Sequence, residues 1–284
     1  MEANEVYAIL KNLIKKNSGV TDEQVKQAVE EYLVQNPVSV ETDKTLSKSG
    51  VPADSKATGD AIKEVEEKVS STIDERILDA FFGLMRNGKV YQTELYLTET
   101  NPTSDGVKTL ANKDKVCEPS TDTVEGQDDY DGIGIFNWYN CNYVTDDYGR
   151  KIPTAIEGWG DGYKNDSTVD VGVIAMTPYW SVVEKDGKQI WTLSDTPNDD
   201  YGLIPWETAR KEDGTYASYV IHSKYVSGIG ADGLLRSFKN SKPARSQCYN
   251  NMIDNYQKKG KGYWGAGKER DMYVILYDII KYAT

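Results

Sequence analysis

The chain has 284 residues, 33 Lys plus Arg against 45 Asp plus Glu, a formal charge of −12 and 38% hydrophobic residues. That length and apolar content are enough for two domains with a real core. The acidic balance repels polyanions, so neither nucleic acid nor an anionic membrane is an expected partner. No apolar run approaches the roughly 18 residues of a membrane span, and the polar, acidic start does not read as a signal peptide.

Cys117, Cys141 and Cys248 form no CxxC pair, so the spacing indicates neither a disulfide framework nor a four-thiolate zinc site. His222 is the only histidine, which excludes multi-histidine metal centres. It alternates with apolar residues in "SYVIHSKYV" and is expected to be a satisfied strand residue.

In chain order, residues 1 to 36 read as two short helices. Val6, Ile9, Leu10, Leu13 and Ile14 form the first stripe, ended by Gly19. Thr21 with Gln24 opens the second as a capping box, and Asn36-Pro37 closes it. Each is too short to be stable in water alone. Residues 38–53 form a polar, flexible joint with Gly50 and Pro52.

After an expected N-cap at Asp54, the apolar positions Ile62, Val65, Val69, Ile73, Ile77, Ala80 and Leu84 recur in steps of 3 and 4, with one stutter. Nothing within the segment covers so thin a stripe, which predicts self-association of a coiled-coil stalk over 54–87. The β-branched seam residues point to three strands. The alternative is a surface helix laid on the domain that follows.

From Gly88 the composition changes. All six Trp and nearly all of the 20 Tyr lie beyond it, in short alternating runs bounded by turns: "KVYQTELYL", "GIGIFNWYN", "TVDVGVIAM", "PYWSVVE", "KQIWTLS" and "SYVIHSKYV". Asp186-Gly187 predicts a hairpin tip, with Trp180 and Trp191 facing each other across it in the core. Two helices are expected at the end, one between Ser246 and Gly260 and one from Lys268. The second keeps Met272, Leu276, Ile279, Ile280 and Ala283 on one face and has no stop signal before the last residue. It reads either as cut short or as docking at its own terminus. The expected fold class is α+β: N-terminal helices over 1–37, a joint over 38–53, a stalk over 54–87 and a β-rich head over 88–284.

The segments "GVTDEQVKQAVEEYLVQNPV" and "DKTLSKSGVPADSKATGDAIKEV" resemble the N-terminal parts of tail-associated structural proteins from phages and prophages of Gram-positive gut bacteria. Ala53 to Ile62 follow the "ADAKATGDAI" joint of those proteins, with Ser55 in place of the usual Ala. Residues 215–284, including "GYWGAGKERDMYVILYDIIKYAT", are similar to the part of large phage tail proteins that leads into a C-type-lectin-like receptor-binding head. The resemblance implies a virion-tail location after synthesis in the bacterial cytoplasm. It also implies attachment to other tail or baseplate proteins through residues 1–36, a homotrimer, and a C-type-lectin-like head that recognises a host-surface glycan or protein.

No serine elbow, phosphate loop or dinucleotide fingerprint is present, so catalytic residues are not assigned. Asp128-Asp129-Asp131, Asp146-Asp147 and Asp199-Asp200 read as solvated turns, with a calcium-stabilised loop as the alternative. No cofactor or metal ligand set is assigned. Glu157 and Asp161, in "AIEGWGDGY", are the carboxylates that a tail-borne glycan hydrolase would use. A third reading is a purely structural tail component. Aromatic rings stack on sugar faces while their polar edges bond hydroxyls, which makes Trp138, Tyr139, Trp159, Tyr163, Tyr201, Trp206 and Trp264 the candidate recognition residues.

Overall fold

A computed structural model describes residues 72–98, 106–246, 248–265 and 267–284. The two N-terminal helices, the joint, and the seam positions Ile62, Val65 and Val69 lie outside the described residues. The described fold is α+β, built mostly of antiparallel sheet with three α-helices.

Helix α1 (Glu75–Met85) starts at Asp74, whose backbone is extended and whose carboxylate accepts the Arg76 N–H at 2.9 Å. A helix running without a break from 54 to 87 is therefore corrected at this point. Ile73 precedes the cap, and its N–H donates to Pro153 O at 3.0 Å. The fully buried residues of α1 are Leu78, Phe81, Phe82 and Met85, whereas the expected seam residues Ile77, Ala80 and Leu84 are half-buried. Spacing of i, i+3, i+4, i+7 makes a stripe wide enough to bury against a core rather than along a narrow seam. The end of the expected stalk thus packs into the β-rich body.

The first sheet has the strand order β10 (Ile204–Pro205), β8 (Tyr179–Lys185), β9 (Lys188–Ser194), β1 (Val90–Tyr96) and β2 (Val107–Leu110). Asp186 and Gly187 join β8 to β9 with φ of 53° and 73°, the primed turn that matches strand twist. The register pairs Trp180 with Leu193 and Val182 with Trp191, so the two tryptophans are diagonal neighbours rather than the direct partners expected. The second sheet runs β11 (Tyr219–Ser223), β7 (Asp170–Met176), β5 (Trp138–Thr145) and β6 (Lys151–Ile156). Central β7 is buried along nearly its whole length. The run "GIGIFNWYN" divides: Gly134–Phe136 turn as a 3-10 helix and β5 begins at Trp138. Two small ribbons pair β3 (Cys117–Glu118) with β4 (Gln127–Asp128) and β12 (Ser227–Ile229) with β13 (Leu235–Ser237).

Helix α2 (Tyr249–Gln257) has no buried residue. Helix α3 (Lys268–Tyr282) packs Tyr273, Leu276, Tyr277, Ile279 and Ile280 into the core, with contacts to β1 and β9. It does have a stop: Ala283 is left-handed at φ 60°, and its N–H donates to Ile279 O at 2.9 Å. One contiguous core takes side chains from both sheets, α1 and α3. A buried polar cluster fastens the end of α3 to the first sheet. Asn112 Nδ2 donates to Ile280 O at 2.8 Å and Thr93 Oγ1 at 3.0 Å, and Tyr130 OH donates to Asn112 Oδ1 at 2.6 Å.

Candidate functional site

The second sheet, the turn between β5 and β6, and the segment from Tyr256 to Arg270 enclose a cavity of about 420 Å³. Small-ligand sites fall at roughly 300–1,000 Å³. The sheet side depends on Gly172 of β7, where a Cβ would sit 2.9 Å from Tyr143 Cδ1 and 2.8 Å from His222 O. Without a side chain there, Tyr143 reaches across to Ser223, with 2.7 Å between their oxygens.

The opposite wall is held by a buried ionic network. Asp170 is buried; its carboxylate pairs with Lys259 at 2.8 Å and Arg236 at 3.2 Å, and accepts the Ser237 N–H at 2.9 Å. Tyr263 OH accepts the Thr145 N–H at 2.9 Å, tying the same segment to β5. Gly262 lies flat on the β5–β6 turn, where a Cβ would overlap the Asp146 carbonyl. Arg150 in that turn pairs with Glu75 at 3.0 Å and Asp146 at 3.5 Å.

Three further side chains lining the cavity lack such partners among the described residues. Lys151, the first residue of β6, makes no ion pair; its Nζ lies 5.2 Å from the Tyr143 ring centroid. Burial pushes the Lys151 ammonium down to about 8. His222 Nε2 and Glu269 Oε1 are buried without a hydrogen-bond partner. Burial, reinforced by Lys151 and Arg270, pushes His222 down to about 3, so the imidazole is neutral at pH 7. Its ring stacks on Tyr273 at 4.3 Å. Arg270, exposed at the cavity mouth, makes no ion pair among the described residues. Buried polar atoms are nearly always satisfied in folded proteins, so the two that line this cavity without a partner make it the candidate site.

Of the seven candidate aromatics, Trp264 alone lines this cavity, 58% exposed. Trp206 is 2% exposed, its ring 5.2 Å from Trp180 and 5.1 Å from Tyr273, so it is a core residue. Tyr139 and Trp159 pack their edges against Phe81 at 5.4 and 4.9 Å. Trp138 is 44% exposed but leans on Tyr277 at 5.6 Å. Tyr163 is half-buried with its OH unpartnered, and burial pushes it up to about 12. Tyr201 closes a 3-10 turn far along the chain from Trp264, and its carbonyl accepts the Ser181 hydroxyl at 3.0 Å. The seven do not form one patch.

Glu157 and Asp161 are exposed and do not line the cavity; Glu157 Oε2 accepts from Asn140 Nδ2 at 2.6 Å. The aspartate runs act within turns. Asp146 Oδ1 accepts the Tyr148 and Arg150 N–H groups, Asp128 pairs with Lys281 at 2.7 Å, and Asp199-Asp200 open a 3-10 turn capped by Asn198. Among the described residues no three His, Cys, Asp or Glu side chains converge on a metal-sized site.

Sequence reasoning missed Lys151, Glu269 and Arg270, and it read His222 as satisfied. The strand that carries Lys151, "KIPTAI", contains Pro153 and escaped the alternation pattern. Glu269 and Arg270 looked like ordinary charges in the first turn of a helix. No protein-family model, curated protein or solved structure matches the chain.

Proposed function

We propose that this chain is a phage or prophage tail protein of the baseplate or fibre type, mounted through its N-terminal segment, trimerised by the stretch before Asp74 and binding the host surface with its β-rich body. The observation that carries the reading is the cavity beside Trp264, with preformed walls and unsatisfied polar atoms pointing to a polar ligand. The module order and the similarity of residues 215–284 to the lead-in of C-type-lectin-like tail heads support the same reading. Three bodies on one stalk need only weak individual contacts, because multivalent attachment raises avidity by roughly 10² to 10⁴.

Two measurements test this. Light scattering on the intact chain should return three times the 31.8 kDa chain mass. A shortened version should begin at Thr72 rather than Gly88, since cutting at Gly88 removes the buried face of α1. It should be monomeric. Labelled intact protein should attach to whole cells of Gram-positive gut bacteria and be displaced by their isolated surface polysaccharide. An intact monomer that attaches to none of them would defeat the proposal.

A further inference from the structure

Resting on that reading, we infer that the cavity takes an acidic saccharide: a sugar residue whose carboxylate or phosphate sits against Lys151, whose hydroxyls meet Glu269 and His222, and whose ring lies on Trp264.

The argument starts from charge. The chain carries −12 overall, yet the cavity lining holds five cationic side chains, Arg150, Lys151, Lys224, Lys259 and Arg270, against the carboxylates of Asp170 and Glu269. Most of those cations are already engaged. Arg150 is held by Glu75 and Asp146, Lys259 by Asp170, and Lys224 donates to Asn140 Oδ1 at 2.6 Å. Lys151 and Arg270 remain, the first half-buried and the second exposed. Lys151 makes no ion pair; Asp170 and Glu269 favour its charge without contacting it, so an anion entering the cavity can pair with it directly, where partial enclosure strengthens the pairing.

The remaining atoms narrow the class. Glu269 Oε1 is buried without a hydrogen-bond partner, and a sugar hydroxyl can donate to it as an ionised carboxylate alone cannot. Neutral His222 can accept or donate at Nε2, matching a hydroxyl in either role. The ligand therefore has to bring a negative group and hydroxyl donors together. Trp264 adds a flat apolar surface, and an exposed indole beside hydroxyl-binding groups is suited to a sugar face. The cavity volume admits a sugar residue of this kind.

The test is an NMR titration of the intact protein at pH 6.5 with glucuronic acid, glucose 6-phosphate, glucose and inorganic phosphate. Comparing the two acids tells a carboxylate from a phosphate source. At least one acid should bind tenfold or more tighter than glucose and tighter than inorganic phosphate. Lys151→Met should abolish that preference, Lys151→Arg should keep part of it, and Glu269→Gln should weaken binding of the acids and of glucose. Affinity for the preferred acid should fall as the pH is raised above about 8, as Lys151 loses its proton. The groups facing Lys151 are Cys141 and Tyr143 from β5, Asp170 from β7, His222 from β11, and Glu269 and Arg270 from α3. The Lys151→Met profile should lack that fall. A melting curve on each variant checks that it is folded. Equal binding of acid and glucose, undiminished preference in folded Lys151→Met, inorganic phosphate binding as tightly as glucose 6-phosphate, or no saccharide binding at all would each overturn the inference. Continued attachment to whole cells in those cases would leave host-surface recognition standing, whereas loss of attachment as well would remove both.

Discussion

Two buried polar regions of this molecule make opposite use of polarity. Around Asn112 the amide donates to Thr93 and Ile280 and accepts from Tyr130, so the cluster is closed on itself. Around Lys151 the ammonium makes no ion pair, and the His222 Nε2 and the Glu269 Oε1 are buried without hydrogen-bond partners among the described residues, all three side chains lining one cavity. A satisfied polar cluster rigidifies a fold; an unsatisfied one weakens it unless something else completes it. The difference separates a structural bolt from a site, and it can be measured as a difference in the sign of stability changes.

The largest effect should come from Asp170, which stands in the cavity wall but belongs with the satisfied class. Removing it in Asp170→Ala strands Lys259 and the Ser237 N–H and leaves Arg236 with Asp232 as its remaining carboxylate partner. Breaking a buried pair from one side costs about 3–5 kcal/mol, read as a shift in the urea midpoint. A loss below about 1 kcal/mol would show that the wall is not held by this network. Asn112→Ala should follow, at about 3 kcal/mol, because the Ile280 carbonyl and Thr93 hydroxyl lose a buried donor. Hydrogen exchange should then report earlier opening of the last turns of α3. If those turns keep their protection, the bolt is not what fastens them.

What was legible beforehand follows from how local each signal is. The Asp186-Gly187 turn, the alternation of β1, β7, β8, β9 and β11 and the two C-terminal helices depend on neighbouring residues, and the sequence displays them. The N-cap at Asp74 was also written locally, but the regular steps through Ile73 and Ile77 hid it. The Leu78, Phe81, Phe82 and Met85 stripe overlapped that seam on the same helix, and only the presence of the sheets decides which face is buried. The cavity was illegible for a different reason. Lys151, His222 and Glu269 come from β6, β11 and α3, and what distinguishes them is the absence of a partner. Absence has no sequence motif. Trp264 was singled out on residue type alone and does line the cavity, while Trp206, of the same type, is consumed by the core.

Lys151→Met should reverse the sign seen at Asn112. Replacing a half-buried ammonium that makes no ion pair by an apolar chain of similar length removes a partial desolvation cost, so stability at pH 7 should stay level or rise by up to about 1 kcal/mol. The pH dependence gives a sharper reading. The folded-state value of Lys151 is about 8, below the ordinary lysine value of 10.5. Between these the unfolded chain binds more protons, so wild-type stability gains with rising pH across that window, and the variant should lack that gain. His222 behaves alike at lower pH. Its folded value of about 3 lies below the ordinary 6.5, so protonation of the unfolded chain should erode stability as pH falls from 6.5 toward 3. The erosion should be smaller in His222→Phe, which retains a ring against Tyr273. Matching pH profiles for wild type and both variants would mean that neither group is desolvated in solution.

The smallest expected change in stability, at Trp264, completes the comparison. Its ring is 58% exposed and makes no ring stacking contact within the described residues, so Trp264→Ala should move the urea midpoint by less than the equivalent of about 0.5 kcal/mol. A residue left this exposed at the edge of a cavity contributes little to folding, and under the proposed reading its ring serves the ligand. The variant should therefore keep the wild-type melting curve while losing most of its attachment to polysaccharide. Phe in its place should restore part of the binding, since the apolar face is kept and only the indole N–H is lost. A stability loss comparable to that of Asn112→Ala would instead place Trp264 among the structural residues, and the cavity would then need a different contact to hold the flat face of its ligand.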